Sequence, residues 1–167
     1  LEDRFVDPVQ ERIDLAVRTG SVLPQDRVAQ PLAVWPRWLV ASPEYVQRRG
    51  KPRRPQELAR HDYLRYAGPD DAVTLDGPEG AIRLELASRY RINSAVAMLE
   101  AVQGGAGIGL QPSGVVGHLQ RQGALVRLLP RWTGPAQNAH LIHTPRRRQP
   151  MRVQAVQELL LAAVATW

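Results

Sequence analysis

The chain has 167 residues, 44% hydrophobic and 23% charged, a composition that predicts one or two small folded domains and excludes a disordered chain. No apolar run approaches the roughly 18 residues of a membrane-spanning helix, and the first residues lack the basic start and apolar stretch of a signal peptide. Cysteine is absent, which excludes disulfides, a thiol nucleophile and a cysteine-ligated zinc site. The 22 basic residues outnumber the 16 acidic ones for a net charge of +6, and Lys51 is the single lysine among them. Such a balance suits a nucleic-acid or acidic-ligand partner. The arginine-for-lysine bias is more simply a mark of GC-rich codons, since charge alone is weak evidence of binding.

In chain order, residues 1–7 read as the tail of an element, and 13–18 as a strand stopped by Thr19-Gly20. Residues 28–35 and 38–42 are two further apolar stretches. Pro43 follows Ser42 as the first residue of a capped short helix that ends at Gly50. Pro55 starts another short helix. Strands are predicted at 63–66, 73–75 and 81–86, the last two joined as a hairpin by the turn at 76–80. The clearest helix runs from Ser94 to about Gln103, capped by Asn93 or Ser94 and stopped by Gly104-Gly105. Ile108-Gly109-Leu110 is a short buried strand, and Pro112 opens a helix to Gln122. Strands at 125–129 and 139–144 follow. A last helix covers about 151–165, with Val153, Val156, Leu160 and Val164 on one face. This alternation is that of an α/β fold with mostly parallel sheets. Turn-rich stretches near 60–62 and 133–138 divide the chain into an inserted middle lobe and an outer one.

No motif completes a catalytic set. The run Gly104-Gly105-Ala106-Gly107-Ile108-Gly109 follows a helix and precedes a strand, the reverse of a dinucleotide fingerprint. A helix stop and close strand packing account for it. His140 and His143 lie three apart on a strand and point to opposite faces, so they do not share a metal; His61 and His118 are isolated. There is no nucleophile elbow, and Asp70-Asp71 has no partner base. The arginine-rich runs 48–54 and 146–148 suit phosphate contacts but lack interleaved aromatics, and solvated loops between elements are the favoured explanation. Two features could hold an anion. Asn93-Ser94 stands at a helix N-terminus, where free N–H groups and the helix dipole favour negative charge, although a plain cap is the common meaning of such residues. Thr19-Gly20 stands at a strand's carboxyl end, where open α/β sheets bind ligands.

Taken together, several segments resemble the effector-binding domain of LysR-type transcriptional regulators. They are Asp3–Asp7 with 11–20; 40–46 with Gly50 and Pro52; 57–62; Ile92-Asn93-Ser94; 104–112; and 123–132. Their order and spacing match nearly the whole chain. The resemblance implies a periplasmic-binding-protein-like fold of type 2, two Rossmann-like lobes joined by two crossover segments. Lobe I would hold 1–60 and 138–167, and lobe II 61–137. It implies a small-molecule effector, an organic or aromatic acid, held near Thr19, Gly20, Tyr66, Asn93, Ser94, Ile108, Gly109 and Pro112, with no metal, no cofactor and no catalysis. It also implies a cytoplasmic homo-oligomer, a dimer or tetramer. Promoter DNA would be contacted only by an N-terminal winged helix–turn–helix that these residues do not include. The family's first strand, first helix and most of its second strand are likewise not among them. Lobe I is therefore expected to be incomplete, and to rearrange or pair with a second copy because unpaired strand edges are costly. Three other functions compete: a fragment of a periplasmic-type solute-binding protein, an enzyme on the same fold such as an aromatic amino-acid dehydratase, and a direct nucleic-acid binder.

Overall fold

The computed structural model describes residues 13–20, 28–67, 72–143 and 150–164. The opening segment 1–12, Asp70-Asp71 and the arginine run 146–148, all singled out above, lie outside the described residues.

The strands are β1 (Leu15–Thr19), β2 (Val28–Ala41), β3 (Tyr63–Tyr66), β4 (Ala72–Gly77), β5 (Gly80–Glu85), β6 (Tyr90–Ile92), β7 (Ile108–Pro112), β8 (Val126–Leu128) and β9 (Gly134–His143). The helices are α1 (Pro43–Arg49), α2 (Ala95–Gln103), α3 (Ser113–Arg121) and α4 (Met151–Val164), with a 3₁₀ segment at Pro55–Arg60. The apolar stretches 28–35 and 38–42 are thus one 14-residue strand. Pro36 does not end it, because the φ that proline fixes is compatible with extended backbone. The structure adds β6, whose three residues Tyr-Arg-Ile are too few to establish a period.

The chain divides into two compact units: Pro36–Ala136, and the described residues of Arg4–Trp35 with Gln137–Trp167. In the first unit β7 and β6 flank β3 in parallel, with Leu64 opposite both Gly109 and Tyr90. The crossover β6–α2–β7 passes over β3. β2 runs antiparallel to β7, with Val40 opposite Gly109 and Arg37 opposite Pro112, and pairs with β8 on its other side. Among these pairings, parallel ones join only β6, β3 and β7, fewer than the alternation of elements predicts. In the second unit β1 and β9 pair antiparallel from Leu15–His143 to Thr19–Ala139.

Alternation along the strands of the first unit builds two cores, one on each sheet face. Leu39, Ala41, Tyr63, Ile108 and Leu128 meet Tyr45 of α1, Leu58, and Val73 and Leu75 of the β4–β5 hairpin. Val40 and Leu64 meet Met98 and Val102 of α2 and Val116 of α3. Burying each such side chain contributes about 1.5–3 kcal/mol. The glycine run is explained by this packing. Gly105 has φ +75 and stops α2, a Cβ on Gly107 would collide with the Asp62 carbonyl, and one on Gly109 would sit 2.6 Å from Val102 Cγ2.

The segment 57–62 has an equally local role. Asp62 N–H donates to the Tyr45 hydroxyl at 2.9 Å, His61 Nδ1 lies 3.1 Å from that hydroxyl, and Arg49 pairs with Asp62 at 3.5 Å. This network fixes the entry into β3. In α4, Val153 is buried and Leu160 and Val164 are half-buried, as expected, but Val156 is exposed and Gln157 takes its place on the covered face.

Candidate functional site

The three parallel strands of the first unit end at one level: Tyr66 of β3 is in register with Ile92 of β6, and β7 ends at Pro112. Two helices begin there. β6 leads through Asn93 and Ser94 into α2, and β7 leads directly into α3. Open α/β sheets place ligand sites beyond the carboxyl ends of their strands, where helix N-termini direct N–H groups and positive dipole ends outward.

The two helix starts are built differently. Ser94, not Asn93, is the cap of α2: it is buried, with extended φ/ψ of −127° and 126°, and its Oγ accepts the Ala97 N–H at 3.4 Å. α3 begins after Pro112, which has no side-chain acceptor, and no side chain of a described residue is seen to cap its first turn. The first N–H groups of α3 therefore retain their capacity for an anion. Apolar surface rings the same level. Tyr66 is 44% exposed, Val96 in the first turn of α2 is 57% exposed and Val115 in the first turn of α3 is 39% exposed. The Tyr66 hydroxyl reaches the Asn93 carbonyl at 3.4 Å, tying β3 to the loop that precedes α2.

Of the eight residues expected at the site, six belong to this unit. Tyr66, Asn93, Ser94 and Pro112 stand at the strand ends and helix starts. Ile108 and Gly109 lie at the opposite end of β7, both buried; Ile108 is part of the hairpin-side core, and Gly109 faces α2. Thr19 and Gly20 belong to the other unit. Thr19 ends β1, and Gly20 has φ +116 and donates its N–H to the Asn138 carbonyl at 2.9 Å.

Two residues at the strand ends were not foreseen. Gln111 is only 5% exposed and lies on the α2 side of β7, so its amide stands near the strand ends. Arg37, cross-strand from Pro112, is half-buried, and its Nε has no partner among the described residues. Its one sequence signal was position: a guanidinium between Trp35 and Trp38 in an otherwise apolar strand. Beneath it Tyr63 is buried, and that burial pushes its phenol up to about 12, against a smaller opposing effect of Arg65 and Arg37. His140 and His143 sit on β9 opposite Arg18 and Leu15, and the described residues hold no cluster of three or more His, Cys, Asp or Glu suited to a metal.

The mixed α/β architecture is that of the regulatory domains of LysR-type transcriptional regulators, which have the type 2 periplasmic-binding-protein-like fold. The chain superposes on the CrgA regulatory domain of Neisseria meningitidis with a TM-score of 0.80 at 21% identity, covering 93% of this chain and 78% of that one. On the AphB regulatory domain of Vibrio vulnificus the TM-score is 0.72 at 25% identity, covering 95% and 77%. Residues 1–165 match the LysR substrate binding domain, and the chain belongs to that family. Among curated relatives, the transcriptional regulator PtxR of Pseudomonas aeruginosa is 32% identical over 161 residues, 95% of this chain and 52% of its own length. The transcriptional activator AaeR of Escherichia coli is 28% identical over 152 residues, 90% of this chain and 49% of its own length. The chain spans about half the length of the curated relatives it matches.

Proposed function

We propose that this chain is the effector-sensing part of a LysR-type transcriptional regulator and that the strand ends of the first unit bind a small organic or aromatic acid. The observation that carries this reading is the convergence of two helix N-termini, one of them uncapped by any described side chain, on a level edged by exposed Tyr66, Val96 and Val115. The helix starts suit a carboxylate and the apolar edge suits a carbon skeleton. Gln111 and Arg37 would add an amide and a formal charge. Thr19 and Gly20 enter only through the family resemblance. The two compact units would be the family's two lobes, with residues 36–60 joined to 61–136 rather than to lobe I, where the family resemblance puts them. In the whole protein, occupancy would alter how a cytoplasmic homo-oligomer holds promoter DNA through a helix–turn–helix outside these residues. No chemistry is done on the effector.

The relatives named above are regulators of transcription, which favours this reading over a solute-binding protein. The test is a thermal-shift screen of aromatic and aliphatic carboxylic acids against the protein together with its helix–turn–helix. A true effector at 100 times its Kd stabilises by about 2.7 kcal/mol. An absence of stabilisation across the panel, or stabilisation unchanged in Gln111→Leu and Tyr66→Ala, would sink the proposed site.

A further inference from the structure

A hollow in the first unit shares no residue with the strand ends. It has a volume of about 1160 Å³ and lies between the segment 51–56, the β4–β5 turn and the segment 127–132. Five cationic residues line it (Lys51, Arg53, Arg54, Arg127 and Arg131), against one carboxylate, Glu79. Arg54 is partly compensated by Glu57, 3.5 Å from its Nε. Lys51, Arg53 and Arg131 have no ion pair with any described residue. Unopposed cations around a concavity focus the local field and concentrate anions there.

The wall is preformed and partly apolar. Leu129 is held at φ +45, an unfavourable conformation for leucine that its surroundings enforce. The turn is closed by Trp132 N–H donating to the Leu129 carbonyl at 2.8 Å and by the Arg127 guanidinium donating to the Pro130 carbonyl at 2.8 Å. The Trp132 ring packs onto Gly77, where any Cβ would collide with it. Half-buried Trp132, with Ile82 and Pro52, gives the hollow an apolar side beside its basic rim.

We propose that this hollow binds a small molecule bearing two or more phosphates on a flat organic body, the chemistry of a nucleoside diphosphate. Arginine forks match phosphate oxygens; with Arg54 paired to Glu57 and the Arg127 guanidinium stacked 4.2 Å over the Trp38 ring, Lys51, Arg53 and Arg131 against Glu79 leave two net positive charges (three less one), more than a monocarboxylate would balance. An indole in the wall suits a planar ring. The volume is close to that of small-molecule sites, roughly 300–1,000 Å³, and a duplex held by its phosphate backbone would leave the Trp132 indole without a stacking partner. The proposal is independent of the effector reading, because none of these residues belongs to the strand-end site.

Calorimetric titration of the chain with ADP, inorganic pyrophosphate and a duplex DNA oligomer tests it. ADP is expected to bind with an affinity that falls as salt rises. Arg53→Glu combined with Arg131→Glu, both exposed positions, is expected to weaken it about tenfold or more while the unfolding midpoint stays in place. Trp132→Leu is expected to weaken ADP more than pyrophosphate. Absence of ADP binding, or ADP binding indifferent to the charge reversals, overturns the proposal. Pyrophosphate binding as tightly as ADP overturns its organic half. Binding of the duplex alone, lost on charge reversal, replaces it with a DNA-backbone contact.

Discussion

The first unit carries two places suited to anions, and they are made by opposite means. At the strand ends the attraction comes from backbone: helix starts, a buried amide and little formal charge apart from Arg37. In the hollow it comes from exposed cationic side chains around an apolar wall. Backbone dipoles are fixed by the fold and act within about one helical turn. Exposed charges act further but are screened over roughly 10 Å at 0.1 M salt. The strand ends should therefore discriminate by shape and tolerate salt, and the hollow should discriminate by charge and lose affinity with salt. Mutations should divide the same way, because one site is inseparable from core packing and the other is not.

The largest effect is expected where backbone meets backbone. Gly107→Ala forces a methyl onto the Asp62 carbonyl, whose oxygen also accepts the Ile108 N–H at 2.8 Å. Overpacking of this kind costs about 1–3 kcal/mol and should lower the urea midpoint with little change in slope. A wild-type midpoint in this variant would mean that β3 and β7 are not so tightly joined. Ser94→Ala removes the α2 cap and should cost about 1 kcal/mol by the same measurement. By contrast, Arg53→Ala and Arg131→Ala should fall within about 0.5 kcal/mol of wild type, as exposed positions do.

Smaller effects appear in pH dependence. Burial, reinforced by the nearby Arg49 guanidinium, lowers the His61 imidazole below its ordinary value. The unfolded chain then binds more protons than the folded one just below the ordinary histidine range, near pH 6.5. Stability should be complete above that range and fall as pH drops through it, and His61→Gln should flatten this part of the melting-temperature profile. At the alkaline end Tyr63 is held up to about 12. An unfolded tyrosine ionises near pH 10, so stability should decline as pH rises above about 10. In ultraviolet titration Tyr63 should ionise last, a feature lost in Tyr63→Phe.

Much of the first unit was legible because local chemistry is unambiguous there. Ser42-Pro43, Ser94, Gly105 and Gly123 mark helix ends by capping and by positive φ. The glycine run declared close packing through its order relative to helix and strand. Other features depended on tertiary contacts that no window of sequence carries. β6 is a strand only because β3 offers it a parallel edge. In α4 the apolar pattern marked Val153, Leu160 and Val164 on the covered face, but Gln157 rather than Val156 completes that face, which a polar residue does not signal. Ser94 could be read as a helix cap at a candidate anion site. Gln111 could not, because a lone glutamine after an apolar strand has no signal until β7 and α2 bury it. Lys51, Arg53 and Arg54 were visible as a charge run; Arg131 and Trp132, eight tens of residues along, join them only through the fold.

The central claim is that the strand ends hold the effector through backbone N–H groups. Amide chemical shifts of the isotope-labelled protein, titrated with the carboxylic acid that stabilises it most, test this most directly. The largest shifts are expected on the first turns of α2 and α3, at Val96 and Val115 and their neighbours, and should persist at high salt. Shifts confined to the segments 51–56 and 127–132, and abolished by salt, would contradict it.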